Sequence, residues 1–266
     1  MRAIRLYFML IGVSLRVQLA DRRSAFIQIF GQLVITGVEF VALAALFERF
    51  GSFSGWSLPE AALLYGFSDL VFALADALSY GFDSFSSLVR NGDVDRLLLR
   101  PMSPILQLLG KELTVKRAGR LLQGAAVFVW ALIETRAVDR ASDALLLFFA
   151  ALAGIVVFSS LFLMQAALCF VTVEALEVMN AFTYGGRQTV SRPLSGYKPL
   201  LRDFFLLVVP IGSVVYLPIA TVLGREGLPG LPTWVAWPAL LGAPIFAFAA
   251  YGLWRLGLRR HTSTGS

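Results

Sequence analysis

The chain has 266 residues, of which 58% are hydrophobic and 15% charged, and it carries a formal charge of +6. An ordinary soluble domain keeps about a quarter of its residues charged, so this composition, with a mean hydropathy of +0.74, excludes a soluble globular protein and places the chain in a membrane. The basic excess sits at the ends of apolar runs rather than in an aromatic-laced stripe, which points away from nucleic acid as a partner.

Residues 1–25 come first. At 100° per residue, Arg2, Arg5, Arg16 and Arg23 fall in a sector of about 60°, with Ile4, Phe8, Ile11 and Leu15 on the adjacent sector. That arrangement predicts an amphipathic helix lying along the inner leaflet, its guanidinium groups toward phosphates. No small-residue cleavage site follows the apolar stretch LYFMLIGVSL, so the segment reads as retained rather than as a signal peptide.

Six apolar runs follow, and backbone groups in hydrocarbon demand that each be helical. They cover approximately 26–47, 60–81, 119–135, 144–171, 203–223 and 234–256, making a permease domain of 26–256 and a polar tail of 257–266. Pro59 suits the first turn of the second run. The fourth exceeds one membrane thickness and is expected to tilt, to break near Gly154 or to project beyond the lipid. Pro210 and Pro218 argue against a straight fifth helix, with Pro229 and Pro232 close behind, and favour a kinked or partly re-entrant element. Gly31 and Gly37 and the alanine-rich stretches 42–45 and 150–153 permit close helix approach. Nineteen basic residues fall in alternate connections and termini against four (Arg49, Arg136, Arg140 and Arg225) in the others, which predicts that both termini are cytoplasmic. The expected fold class is therefore all-α, with six transmembrane helices.

Four polar residues interrupt the runs: Glu39, Asp69, Asp76 and Gln165. Intramembrane carboxylates are expensive and often mark a transport path. Asp69 and Asp76, two helical turns apart, share a face and either serve an ion- or proton-coupled carrier or face a subunit interface or the aqueous margin; no basic residue is apparent mid-span to neutralise them. Catalytic chemistry has no visible constellation. Gly110-Lys111 lacks the glycines and hydroxyl of a phosphate-binding loop, and His261 is the single histidine, so neither a metal site nor a nucleophilic triad is expected, and no cofactor. Cys169 has no partner for an intrachain disulfide and reads as an inert thiol.

The connection between the second and third runs is different in character. In GDVDRLLLRP (92–101), Asp93 is expected to cap a short helix, Asp95 adds favourable charge to its first turn, Arg100 lies at its end and Pro101 stops it, while Pro104 can start the next helical stretch. Such elements beneath the membrane suit transmission of a push from a soluble subunit, and equally suit simple anchoring.

These residues also carry a family likeness. GDVDRLLLRPMSP resembles the Gly-x-x-Asp-x-x-Leu-x-Arg-Pro signature of small six-span permeases of type-2 ATP-binding-cassette exporters, matching at Gly92, Asp95, Leu98, Arg100 and Pro101. EALEVMNAFTYGGRQ (174–188) is similar to that family's inner-loop segment, with Asn180, Thr183, Tyr184, Gly185 and Gly186, and Pro210, Tyr216 and Pro218 resemble its fifth-span pattern. Arg192 stands where the family commonly has tyrosine, and so does His261 in the tail. The resemblance implies a non-catalytic subunit of the bacterial inner membrane that pairs with an identical or related permease and with two copies of a separate ATPase, the export route running between the permeases. It implies ATPase contact through Gly92, Asp93, Asp95, Arg96, Leu98, Arg100 and Pro101, and secondarily through Asn180, Tyr184, Gly185 and Gly186. The competing readings are the carrier or channel using Asp69 and Asp76, and a membrane scaffold without a path.

Overall fold

The structure is a computed structural model describing residues 12, 21–109, 115–172, 175–227 and 232–260. Most of the expected interfacial helix, together with Lys111, Pro229 and His261, lies outside the described residues. The first described helix, α1 (Arg22–Phe50), starts where Asp21 accepts hydrogen bonds from the Arg23 and Ser24 amides at 3.2 Å, and stops at Gly51 in the left-handed region (φ 73°). Its beginning falls four residues ahead of the expected boundary at 26, because the cap is Asp21 rather than a residue of the apolar run.

Helix α2 (Leu58–Asp83) opens with a capping box: the Ser57 amide donates to Glu60 Oε2 at 2.7 Å, and Pro59 occupies the first turn. A turn at Ser84 leads to α3 (Phe85–Arg90), and the connector continues through α4 (Val94–Leu98) and α5 (Pro104–Leu109). Next come α6 (Arg117–Thr135), α7 (Ala141–Leu168) and α8 (Ala175–Val190). α7 runs unbroken through Gly154, so of the expected alternatives the break does not occur, and a tilt or a projection beyond the lipid remains. The absent Cβ at that position instead accommodates Val71 of α2, whose Cγ1 would lie 2.6 Å from one.

The chain then forms α9 (Pro199–Asp203) with a π turn (Phe204–Val208), α10 (Ile211–Val222), α11 (Ala236–Ala239) and α12 (Gly242–Arg260). The segment before α10 meets it at 103°. Val209 is extended (φ −111°, ψ 92°) and Pro210 has no amide to continue the ladder, so the bend falls at Pro210 while Pro218 is tolerated inside α10. Ser213 Oγ donates to the Leu206 carbonyl and partly replaces the lost ladder.

α2 is the hub. It packs most heavily against α6 and then α7; α1 packs mainly on α6 and touches α2 through Tyr65, whose hydroxyl donates to the Thr36 carbonyl at 3.2 Å, and α12 and α10 lie on α7. The tight α2–α6 seam depends on Gly66, where a Cβ would come within 2.5 Å of the Phe128 amide nitrogen. Gly31 and Gly37, expected to mediate close approach, face open space. The expected seams in α1 therefore do not form at these glycines, whose side of the helix meets no neighbour.

Among the described residues four helices are long and apolar enough to cross a bilayer: Arg22–Phe50, Leu58–Arg90, Ala141–Leu168 and Thr233–Arg260. The bent pair makes a fifth if taken as one span. By length and composition these described helices account for four or five of the six expected crossings. The expected third crossing corresponds to α6, whose 19 residues include Arg117, Arg120 and Glu134, and the charged ends dilute its apolar centre. The chain is thus an all-α, multi-pass membrane protein.

Candidate functional site: a buried charge ladder and the connector below it

α2 carries carboxylates at 69, 76 and 83, a spacing of seven that returns to the same helix face every two turns. Each is met by side chains of other helices. Arg187 of α8 donates to Asp69 Oδ1 through one terminal nitrogen and, through the other, to Glu39 Oε2 of α1 at 3.1 Å. Arg117 of α6 grips Asp76 with two bonds, Nε to Oδ2 at 2.5 Å and a terminal nitrogen to Oδ1 at 2.8 Å, while stacking 4.1 Å from the Tyr80 ring centroid. Asp83 accepts from Gln165 Nε2 of α7 at 2.9 Å, with the Tyr184 hydroxyl of α8 at 3.5 Å. Asp69 and Gln165 are completely buried and Arg187 is 4% exposed.

The ladder overturns the premise that Asp69 and Asp76 lack basic partners. Read along the chain, Arg117 and Arg187 look like cytoplasmic loop charges. In three dimensions α6 and α8 pack against α2 and bring those side chains to its acidic face. A carboxylate already gripped by an arginine is poorly placed to bind a transported cation. The arrangement instead ties α1, α2, α6, α7 and α8 together through polar contacts whose loss would strand a charge in a dry interior.

Below the ladder the connector has two faces. Val94, Leu97 and Leu108 are buried, and Gln107 Nε2 donates to the Leu97 and Met102 carbonyls, both at 3.0 Å, clamping the loop from inside. Arg96, Leu98, Leu99, Arg100 and Pro101 are exposed, the Leu99 side lying 84% open, while Gly92, Asp93 and Asp95 are half-buried. Asp93 does not cap α4 as expected. Its backbone is already helical (φ −79°, ψ −3°), which aims the carboxylate away from the first amides, and it contacts Arg96 at 3.4 Å instead. Gly92 makes the preceding turn in the left-handed region (φ 70°), which only glycine enters without cost.

The connector is joined to the helices above it in two places. Gly81 of α2 sits directly on α5, a Cβ there falling 1.9 Å from the Leu108 carbonyl oxygen. Phe85 of α3 stacks edge-on against Phe170 and Trp254 at 5.1 and 5.4 Å, so α3, the end of α7 and α12 share one aromatic cluster.

The second group of contact candidates is placed differently. Gly186 is buried against Ile211 and Phe205, Tyr184 stacks 5.3 Å from Phe72, and Asn180 and Gly185 are half-buried. Residues that the sequence reading overlooked include Asp83, Arg117, Arg187, Leu99 and Gln107. Asp83 was discoverable as the third member of the seven-residue series; the others carried no local signal.

A family model described as "ABC-2 family transporter protein" matches residues 33–265. No curated protein matches the chain.

Proposed function

The chain belongs to the ABC-2 family of transporter proteins, and on that premise we propose that it is the permease subunit of an ATP-driven exporter. In this reading it forms the translocation route with a second permease, identical or related, while two copies of a separate ATPase supply hydrolysis and the chain itself performs none. α6 crosses the bilayer beside α2 as a further span: its 19 residues extend about 28 Å, close to the hydrocarbon thickness of about 30 Å. With the bent element counted, six crossings leave both termini and the connector on the cytoplasmic face of a bacterial inner membrane, as the basic residues require.

One observation carries the proposal: Leu99, 84% exposed and flanked by the exposed Arg96, Leu98, Arg100 and Pro101, on a connector whose other face is clamped and buried. An apolar tip ringed by guanidinium groups is a surface made for a protein partner, the leucines desolvating and the arginines fixing register. A displacement there reaches α2 through Gly81 and α12 through Trp254, so closure of the ATPase pair shifts a two-state helix assembly. The inward-turned α8 makes residues 92–101 the principal contact in this reading.

Arg100→Glu tests it. The variant is expected to insert normally, to lose co-purification with the ATPase, and to lose permease-stimulated ATP hydrolysis. Retention of both binding and stimulation would remove the connector from the coupling role.

A further inference from the structure

A cavity of about 260 Å³ opens where α1, α2, α6 and α8 meet. Lys116, Arg117 and Arg120 line it together with Asp76, Tyr80 and Tyr184. Three cations therefore face one carboxylate, and that carboxylate is fully engaged by Arg117. Among the described residues neither Lys116 nor Arg120 has an ion-pair partner. Arg120 lies over the Phe72 ring at 5.4 Å, and its Nε is buried with no hydrogen bond. Lys116 is open to solvent, Arg120 has Asp69 within electrostatic range but makes no ion pair with it, and the Arg120 Nε finds no hydrogen bond, so the hollow carries an excess of positive charge and room for an anion.

We propose that this cavity binds the phosphate group of an anionic amphiphile. Drug-sized ligands generally occupy pockets of about 300–1,000 Å³, so the volume suits a headgroup better than a whole large substrate. Phosphate offers oxygens enough to accept at once from the Lys116 ammonium, the Arg120 guanidinium and the Tyr80 hydroxyl. Gln32 of α1 also borders the cavity, and α1 is one of the helices long and apolar enough to cross a bilayer, so the anion nearest to hand is the headgroup of a lipid entering between α1 and α6. Gly119 brings those helices together, a Cβ there falling 2.4 Å from the Ile29 carbonyl, so an occupied cavity would brace their seam. This inference goes beyond the exporter reading and holds without a partner ATPase.

The test uses the full chain in neutral detergent, with its thermal midpoint followed as phosphatidylglycerol, phosphatidylcholine or inorganic phosphate is added. Phosphatidylglycerol should raise the midpoint saturably, with weaker protection at high salt, and phosphatidylcholine should not. Arg120→Gln with Lys116→Gln should raise the half-saturating concentration by about tenfold or more. Lys116→Gln alone, at an exposed residue whose loss disturbs no packing, should raise it several-fold, while Arg96→Gln on the connector leaves it unchanged. Displacement of the lipid by inorganic phosphate would support recognition of the phosphate group itself. Protection by inorganic phosphate without phosphatidylglycerol would overturn the amphiphile as occupant. Equal protection by the two lipids, or saturation unchanged in both variants, would overturn the site.

Discussion

Replacing Arg187 by Met keeps much of the side chain's length and removes the guanidinium that joins α8 to α1 and α2. The two partners differ in what they lose. Glu39 keeps 32% of its side-chain surface exposed, and a carboxylate with access to water loses below about 1 kcal/mol when its partner goes. Asp69 has no exposed surface, so its charge is left without solvent and with only the unbonded Arg120 guanidinium nearby, a loss of about 3–5 kcal/mol. At roughly 2–4 °C per kcal/mol for a chain of this size, Arg187→Met should lower the midpoint of thermal unfolding in detergent by about 6–20 °C. Glu39→Gln should lower it by less than about 4 °C. Adding Asp69→Asn to Arg187→Met should recover more than half of the loss, because the buried charge is then gone as well as its partner. Equal losses in Glu39→Gln and Arg187→Met, or a double variant no better than the single, would refute the assignment of the stabilisation to the Asp69 contact.

Three further outcomes follow from other parts of the molecule. Gly81→Ala would drive a methyl into the Leu108 carbonyl, separating α5 from α2 at about 1–3 kcal/mol, measurable as a lower unfolding midpoint; an unchanged midpoint would mean the two elements are not in contact. Burial pushes the Cys169 thiol above its ordinary value, so a maleimide should label the folded protein slowly at neutral pH and rapidly once it is denatured. With Cys169 replaced by Ala, a cysteine introduced at Asp95 should resist impermeant reagents in intact cells and react after permeabilisation, while one at Ser57 should react from outside; the reverse pattern would invert the orientation.

Legibility in the sequence followed the range of the forces involved. Apolar runs and caps act over a few residues, so α1, α2, α6 and α7 begin and end within four positions of the runs that suggested them, whereas α12 starts at Gly242, eight positions into its run; the failure of the fifth run to stay straight at Pro210 was readable too. The same locality explains what was missed. Arg117 and Arg187 lie 41 and 118 residues from the carboxylates they neutralise, and no periodicity links positions so far apart. Asp93 was misjudged because a capping carboxylate requires an extended backbone, and the turn at Gly92 delivers the chain to α4 already coiled. The seam glycines could not be told from the idle ones, since Gly31 and Gly66 differ only in whether a neighbour is there. At the connector, the motif marked ten residues without saying which of them look outward, and that is settled by Gln107, six residues beyond its end.

The rings of Phe82, Phe85 and Phe170 all pack on Trp254, which is only 1% exposed. Interlocked aromatic solids yield little under load, so this junction behaves as a gear rather than a cushion. In the proposed exporter, a displacement of α3 would pass to the last helix with little absorbed on the way, so that two stretches of chain nearly 170 positions apart would move as a single machine part.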